Sequence, residues 1–176
     1  MPDTTVNTTS AAAPAMIDEL QATLEREIPM SAQMGIRVHD GGLEGLNMWL
    51  PLNPNRNHQQ TAFAGSLNAL CTIAGWGYVF LLLKKLGRGG NIVIHRSQIK
   101  YLEPVTTSEI YAHCRPVTPA ESQYFLEMLD DKGQTKLELA VEIAGTLGPA
   151  VSFKGSYVVL PWGTAGTSSS CQNGTV

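Results

Sequence analysis

Residues 64–86 read AGSLNALCTIAGWGYVFLLLKKL, and the fold turns on what this stretch is. No charged residue occurs from Gln59 to Leu83. A run of about 20 apolar residues meets the length criterion for a membrane span. Gly65, Ser66, Asn68, Thr72, Gly75 and Gly77 make it a poor lipid-facing helix. A helix apolar all round is also what a soluble protein buries at its centre, and the strands that follow need such a core. The stretch therefore reads as a buried central helix with no membrane span, stopped by Gly87-Arg88-Gly89-Gly90.

After it come four expected strands in series, 92–102, 109–117, 123–130 and 136–147, and a fifth, 151–160, stopped by Pro161. The fourth alternates cleanly, with Leu137, Leu139, Val141 and Ile143 on one face and Lys136, Glu138, Ala140 and Glu142 on the other. The links are short, so the strands must run antiparallel. Before the central helix, 16–28 is amphipathic, with Ile17, Leu20, Leu24 and Ile28 along one stripe, and Pro29 ends it. Strands are expected at 34–39 and 43–50 around an Asp40-Gly41-Gly42 turn. The fold class is α+β: an antiparallel sheet curled round one long helix.

Composition narrows the function. The chain has 176 residues, 43% hydrophobic and 15% charged, with a net charge of −3. That is enough apolar material for one packed domain, placed at 16–161, and the low charge content favours a surface buried against a second subunit. An acidic chain of this kind is no generic nucleic-acid binder. The segments 1–15 and 162–176 are small, polar and unpatterned and are expected to be flexible tails without a secretory leader. Three cysteines (Cys71, Cys114 and Cys171) form no CxxC pair, so neither a disulfide framework nor a metal site is indicated and a reducing cytoplasm fits. No cofactor motif is present.

No acidic residue occurs between Glu44 and Glu103, whereas Arg56, Lys84, Lys85, Arg88, Arg96 and Lys100 fall inside that window. A buried helix and its flanks carry few acids for structural reasons alone. The functional alternative is a positive surface for phosphates or an acidic partner, such as coenzyme A or an acyl carrier protein. Arg96 and Lys100 lie an even number of residues apart on one strand and so share a face.

The segment NPNRNHQQTAFAGSLNAL, 53–70, is the most distinctive. Asn55, Asn57, His58, Gln60 and Thr61 crowd the approach to a helix start where Ala62, Ala64 and Gly65 are small. A helix start offers unpaired N–H groups and partial positive charge. Small residues let a ligand approach, which suits a carbonyl oxygen that becomes an oxyanion. The plainer alternative is a capped helix after an Asn-rich turn, with Thr61 or Ser66 as the cap.

The strings NHQQTAFAGSL (57–67), Ala74-Gly75-Trp76-Gly77, HRSQIKYLEPV (95–105) and FKGSYVVLP (153–161) resemble the hotdog-fold thioesterase superfamily, and within it the YiiD C-terminal domain family. The resemblance implies a hotdog domain, an antiparallel sheet wrapped around a central helix and paired through sheet edges into a homodimer or a dimer of dimers. It implies acyl thioesters of coenzyme A or acyl carrier protein as substrates. It places the active site where the loop before the helix meets the helix start. Members of the family have been linked to malonyl-acyl carrier protein decarboxylation, with an asparagine of this loop implicated.

Many hotdog hydrolases carry an Asp or Glu on the central helix or the loop before it; here Leu70, Cys71 and Thr72 stand where a helix carboxylate is expected. His58 is the one titratable candidate base in the loop. Ser66 is not in a G-x-S-x-G elbow, and Cys71 reads as an inert core thiol. Decarboxylation of a malonyl thioester needs no activated water, only donors for the enolate oxygen. The sequence reading therefore favours that reaction, with thioester hydrolysis and a non-catalytic acyl-thioester binding module as alternatives. A dimer mate supplying Glu103 or Glu109 keeps hydrolysis open. The candidate catalytic residues are Asn57, Asn55 and His58; the candidate substrate-binding residues are Thr61, Phe63, Ala64, Gly65, Ser66, Arg96 and Lys100.

Overall fold

A computed structural model describes residues 14–162. The remainder of the two expected tails lies outside the described residues. Pro14 and Ala15, expected in the first tail, form the opening turn of helix α1 (Pro14–Glu27), which buries Leu20 and Leu24. Pro29 ends α1 but also opens a second helix, α2 (Pro29–Met34), because a proline at the first helical position loses no bond it would otherwise make. Gly35, at φ 72°, caps α2 in the left-handed region. The first strand therefore starts later than expected. Strands β1 (Arg37–Gly42) and β2 (Gly45–Pro51) pair antiparallel, with a bulge at His39 and the reversal at Leu43-Glu44 rather than at Asp40-Gly41-Gly42.

The central helix α3 (Ala64–Lys85) follows the predicted bounds closely. It is long and apolar enough to cross a membrane, yet 72% of its apolar window is buried inside the protein. The sheet that covers it is completed by β3 (Asn91–Tyr101), β4 (Glu109–Cys114), β5 (Thr135–Ala144) and β6 (Pro149–Leu160). All neighbours are antiparallel, in the order β1-β2-β4-β5-β6-β3. This is the hotdog arrangement.

Alternation explains the wrapping. Leu46, Met48 and Leu50 of β2, Ile110, Ala112 and Cys114 of β4, Leu137, Leu139, Val141 and Ile143 of β5, and Val151, Phe153, Tyr157 and Val159 of β6 are all buried. They form one core with Leu67, Leu70, Cys71, Ala74, Tyr78, Val79 and Leu82 of α3. Gly75 faces a close approach of the sheet: the Tyr157 ring stands where its Cβ would be, and the Tyr157 hydroxyl donates to the Thr72 carbonyl at 2.8 Å. Any side chain at position 75 would occupy the volume of that ring.

One expected strand is not a strand. Residues 123–130 belong to helix α4 (Pro119–Lys132). Thr118 and Glu121 form a reciprocal capping box, Pro119 sits in the first turn and Gly133 caps the end at φ 66°. These start and stop signals favour helix, and Phe125 and Leu129, four apart, are buried together. Four strands, not five, therefore follow α3, and β4 ends at Cys114 rather than 117.

Candidate active site at the start of the central helix

The polar loop before α3 is built by its own asparagines. Asn55, 4% exposed, donates both amide N–H groups to backbone carbonyls, Met34 and Pro51, each at 2.8 Å. It thereby ties the end of α2 to the end of β2. Its own carbonyl accepts the Phe63 N–H at 2.8 Å, which fixes where α3 begins. Asn57 holds the next turn: its Nδ2 donates to Thr61 Oγ1 at 2.8 Å, and its Oδ1 accepts from the N–H groups of Gln59 and Thr61. Both amides are thus engaged within the loop. Arg56 braces the same turn by donating to Gln60, a non-glycine residue at φ 64°. His58 stands exposed in this turn, away from the cavity described next.

The start of α3 is uncapped. Phe63, at φ −68° and ψ 128°, is the N-cap and offers no side-chain acceptor, so neither Thr61 nor Ser66 caps the helix. The first helical bond runs from the Leu67 N–H to the Phe63 carbonyl at 3.1 Å. Among the described residues, the N–H groups of Ala64, Gly65 and Ser66 have no acceptor. The Phe63 ring, 53% exposed, lies against Gly65 where a Cβ would stand. Ser66 is buried at 4% exposure.

A cavity of about 280 Å³ opens beside Ala64, lined by Thr61, Ala62, Ala64, Leu67 and the chain from Tyr101 to Val105. The Ala62 N–H donates to the Val105 carbonyl at 2.8 Å, which clamps the segment after β3 across the loop. The Tyr101 hydroxyl donates to the Ala64 carbonyl at 3.1 Å. Burial, with the Cys71 thiol nearby, pushes its phenol upward, so it stays a protonated donor at neutral pH. Glu103 also lines the cavity, while its carboxylate accepts the Thr146 N–H in the turn between β5 and β6.

The structure thus brings together Thr61, Ala64 and the uncapped N–H groups. It does not add Arg96 and Lys100. Arg96 is opposite Ser156 and Lys100 is opposite Ser152, whereas the inward Phe153 and Tyr157 are opposite Ile99 and Ile94. Both basic side chains therefore stand on the face turned away from α3. The acid-free window in the sequence is also filled in space. Glu19 pairs with Lys84, Glu138 with Arg96 at 3.5 Å, and Asp130 takes two bonds from Arg88 at 2.8 and 3.0 Å. The bonds from Arg88 hold the Asp130 carboxyl below the usual range.

Sequence reasoning missed Tyr101 and did not place Glu103 beside its own helix start. The parity of β3 carried the first signal, since Tyr101 shares a face with Ile99. Pro104 carried the second, because a proline just past the strand cannot continue its ladder and marks where the chain leaves the sheet.

The family model described as "Putative thioesterase (yiiD_Cterm)" matches residues 17–161. A protein of unknown function from Chlorobaculum tepidum is 28% identical in sequence; its structure superposes with a TM-score of 0.81, covering 86% of this chain and 98% of that one. A "putative thioesterase" from Shewanella oneidensis is 32% identical, with a TM-score of 0.76 over 85% of this chain and 100% of that one. A thioesterase from Haemophilus influenzae, 12% identical, shares the fold at a TM-score of 0.66, covering 90% of this chain and 100% of the other.

Proposed function

The chain belongs to the YiiD C-terminal domain family of thioesterase-like hotdog proteins, and from that premise we propose that it is an enzyme that processes an acyl thioester at the start of α3. The observation that carries this reading is the uncapped start of α3, where the N–H groups of Ala64, Gly65 and Ser66 are unpaired and Ala64 lines a cavity about 280 Å³ in volume. Aligned peptide dipoles make that position electropositive without any titrating group. A thioester oxygen bound there gains stabilisation as it turns into an oxyanion, which lowers the barrier rather than merely tightening binding.

These backbone donors take the role that Asn57 and Asn55 have in the sequence reading. The two asparagines act one step back, by holding the loop in which the donors sit. The substrate arm is the thioester of coenzyme A or of an acyl carrier protein, in the cytoplasm, with residues 16–161 as the working domain.

Two reactions use this site. Hydrolysis releases a thiol and a carboxylic acid. Decarboxylation of a malonyl thioester releases carbon dioxide and leaves the thioester intact. It is favoured by the absence of any carboxylate on α3 from Ala64 to Lys85. Incubating the protein separately with saturated acyl and malonyl thioesters, while measuring free thiol and carbon dioxide, decides between them. Release of neither from any thioester refutes an enzymatic role and leaves a binding module.

The working form is a homodimer or a dimer of such dimers. β3 is an edge strand of the sheet, and its residues are mostly exposed. Its inward-facing Ile94 and Tyr101 are 39% and 47% exposed. Thr72, Trp76 and Phe80 form a half-buried stripe on α3, with Trp76 and Phe80 stacked at 5.5 Å. An open edge beside an apolar stripe is a surface that pairing with a second copy would remove. Light scattering at micromolar concentration tests this; a monomer contradicts it.

A further inference from the structure

We propose that Asn68 selects the acyl group: its side-chain amide donates to a carboxylate on C3, so that the site takes a malonyl thioester in preference to a saturated one. This rests on the reading that the start of α3 holds the thioester. Asn68 Oδ1 is shut off from water and has no hydrogen-bond partner among the described residues. Nδ2 has no partner there either, but it is not shut off from solvent. The amide thus keeps its acceptor inside and turns its donor out. A buried acceptor without a partner costs stability, and leucine, similar in size and a better helix former, would avoid that cost. Nothing in the chain's own packing accounts for an amide at this position.

Its place on the helix fits a role toward substrate. Ala64, Gly65, Asn68, Thr72 and Trp76 belong to the face of α3 that the core does not fully cover. Asn68 comes four residues after Ala64 and three after Gly65, which makes it their neighbour on that face. At 1.5 Å of rise per residue it stands about 6 Å along the axis from Ala64. Helical side chains slant toward the N-terminus, so the amide leans back over the turn whose N–H groups are unpaired. In a malonyl thioester a single methylene separates the thioester carbon from the carboxylate. With the thioester oxygen at the Ala64 and Gly65 N–H groups, that carboxylate falls at the next turn of α3.

Charge points the same way. No charged residue occurs from Gln59 to Leu83, and Arg96 and Lys100 stand on the face turned away from α3. A cation here would stabilise the carboxylate most in the ground state, where its charge is greatest, and so raise the barrier to losing it. A neutral amide orients the group without that penalty. When the C2–C3 bond breaks, its electron pair passes into the thioester, whose oxygen becomes the enolate oxygen at the N–H groups of α3. Carbon dioxide leaves uncharged, and C2 takes a proton from water. A saturated acyl group offers Nδ2 no acceptor and leaves it unpaired when bound, which is how a polar site rejects an apolar analogue.

The plainer alternative is that a second copy of the chain satisfies the amide. Malonyl and butyryl thioesters of pantetheine, the arm common to coenzyme A and carrier proteins, separate the two readings. Binding is measured by calorimetry and carbon dioxide release is followed in parallel. Wild type should bind the malonyl thioester more tightly than the butyryl one. In Asn68→Leu that preference should fall about 10–100-fold, as for one hydrogen bond to a charged group, while the melting temperature stays at or above wild type. Asn68→Asp should weaken malonyl binding further by like-charge repulsion and leave butyryl binding unchanged. No malonyl preference in wild type, or an unchanged preference in a folded Asn68→Leu protein, overturns the proposal. An equal loss for both thioesters, or an Asn68→Leu dimer that dissociates on dilution where wild type does not, also overturns it by giving the amide a structural role. If wild type neither binds nor turns over either thioester, the underlying reading of the site fails instead.

Discussion

Replacing Asn55 with alanine should unfold the protein more readily rather than disarm it selectively. The side chain is 4% exposed and makes two bonds of 2.8 Å, to the carbonyls of Met34 and Pro51. A typical net hydrogen bond contributes about 0.5–1.5 kcal/mol, and an acceptor left buried and unpaired costs about 1–3 kcal/mol. Two such acceptors set the loss at about 2–6 kcal/mol, the upper part applying if water cannot reach them. Domains of this size have about 5–15 kcal/mol to lose, so the variant should still fold at room temperature. At about 2–4 °C per kcal/mol, the melting temperature should fall by roughly 4–24 °C. Chemical denaturation followed by tryptophan fluorescence gives the free energy, and the m-value shows whether the transition stays two-state. Residual activity per folded molecule should drop modestly, because the Asn55 carbonyl that positions Phe63 is still present. Wild-type stability combined with a loss of activity of two orders of magnitude or more would refute this reasoning and return Asn55 to the reacting atoms.

Asn57→Asp keeps the oxygen that accepts from Gln59 and Thr61, and the Thr61 hydroxyl can turn to donate to it, so this variant should retain folding and most activity; an inactive, stable Asn57→Asp protein would show that the amide itself meets substrate. Gly75→Ala should destabilise by about 1–3 kcal/mol, as overpacking against a buried ring does, even though alanine is the better helix former by about 1 kcal/mol; a more stable variant in denaturant titration would contradict the packing of Tyr157 on Gly75. Burial pushes the Cys71 thiol up to about 12, and Cys114 is raised by burial as well, so neither should react with a thiol reagent at neutral pH until the protein is unfolded, as peptide mapping of the labelled protein will show. Bonds from the Thr118 N–H and hydroxyl hold the Glu121 carboxyl below its usual range. A depressed carboxyl contributes stability that is present above its unfolded value and lost as pH falls through the folded one. Acid unfolding curves should therefore be shallower for Glu121→Gln than for the wild type below the usual glutamate range.

The parts of the fold that were legible carry a single periodic signal. The charge-free run ending at Leu83 could only be a buried helix or a membrane span, and β5 alternates without exception. Residues 123–130 were ambiguous, because apolar residues at 124, 125, 126, 128 and 129 fit either period. Only Thr118-Pro119-Ala120-Glu121, a capping box with a proline inside it, told helix from strand. The candidate site was legible as a place but not as a set of roles. The loop sequence showed polar side chains near a helix start; it could not show that the amides of Asn55 and Asn57 are used up in shaping the loop. Charge showed the same limit. Arg88 lies in an acid-free window of the chain but meets Asp130, 42 residues away, and Lys84 meets Glu19, 65 residues away. Glu103 was visible as the first acid after the window, and only the fold places it across from Ala64.

The account rests on backbone donors at the start of α3, and Ala64→Pro tests them most directly. Phe63 is already extended at ψ 128°, which suits the residue before a proline, and position 64 is the first of the helix, where proline is tolerated. The change deletes one N–H group without breaking a hydrogen bond present in the protein. If that group holds the developing oxyanion, kcat on an acyl or malonyl thioester should fall about 10²–10³-fold while the melting temperature stays near wild type. A folded Ala64→Pro protein with wild-type kcat would contradict the account.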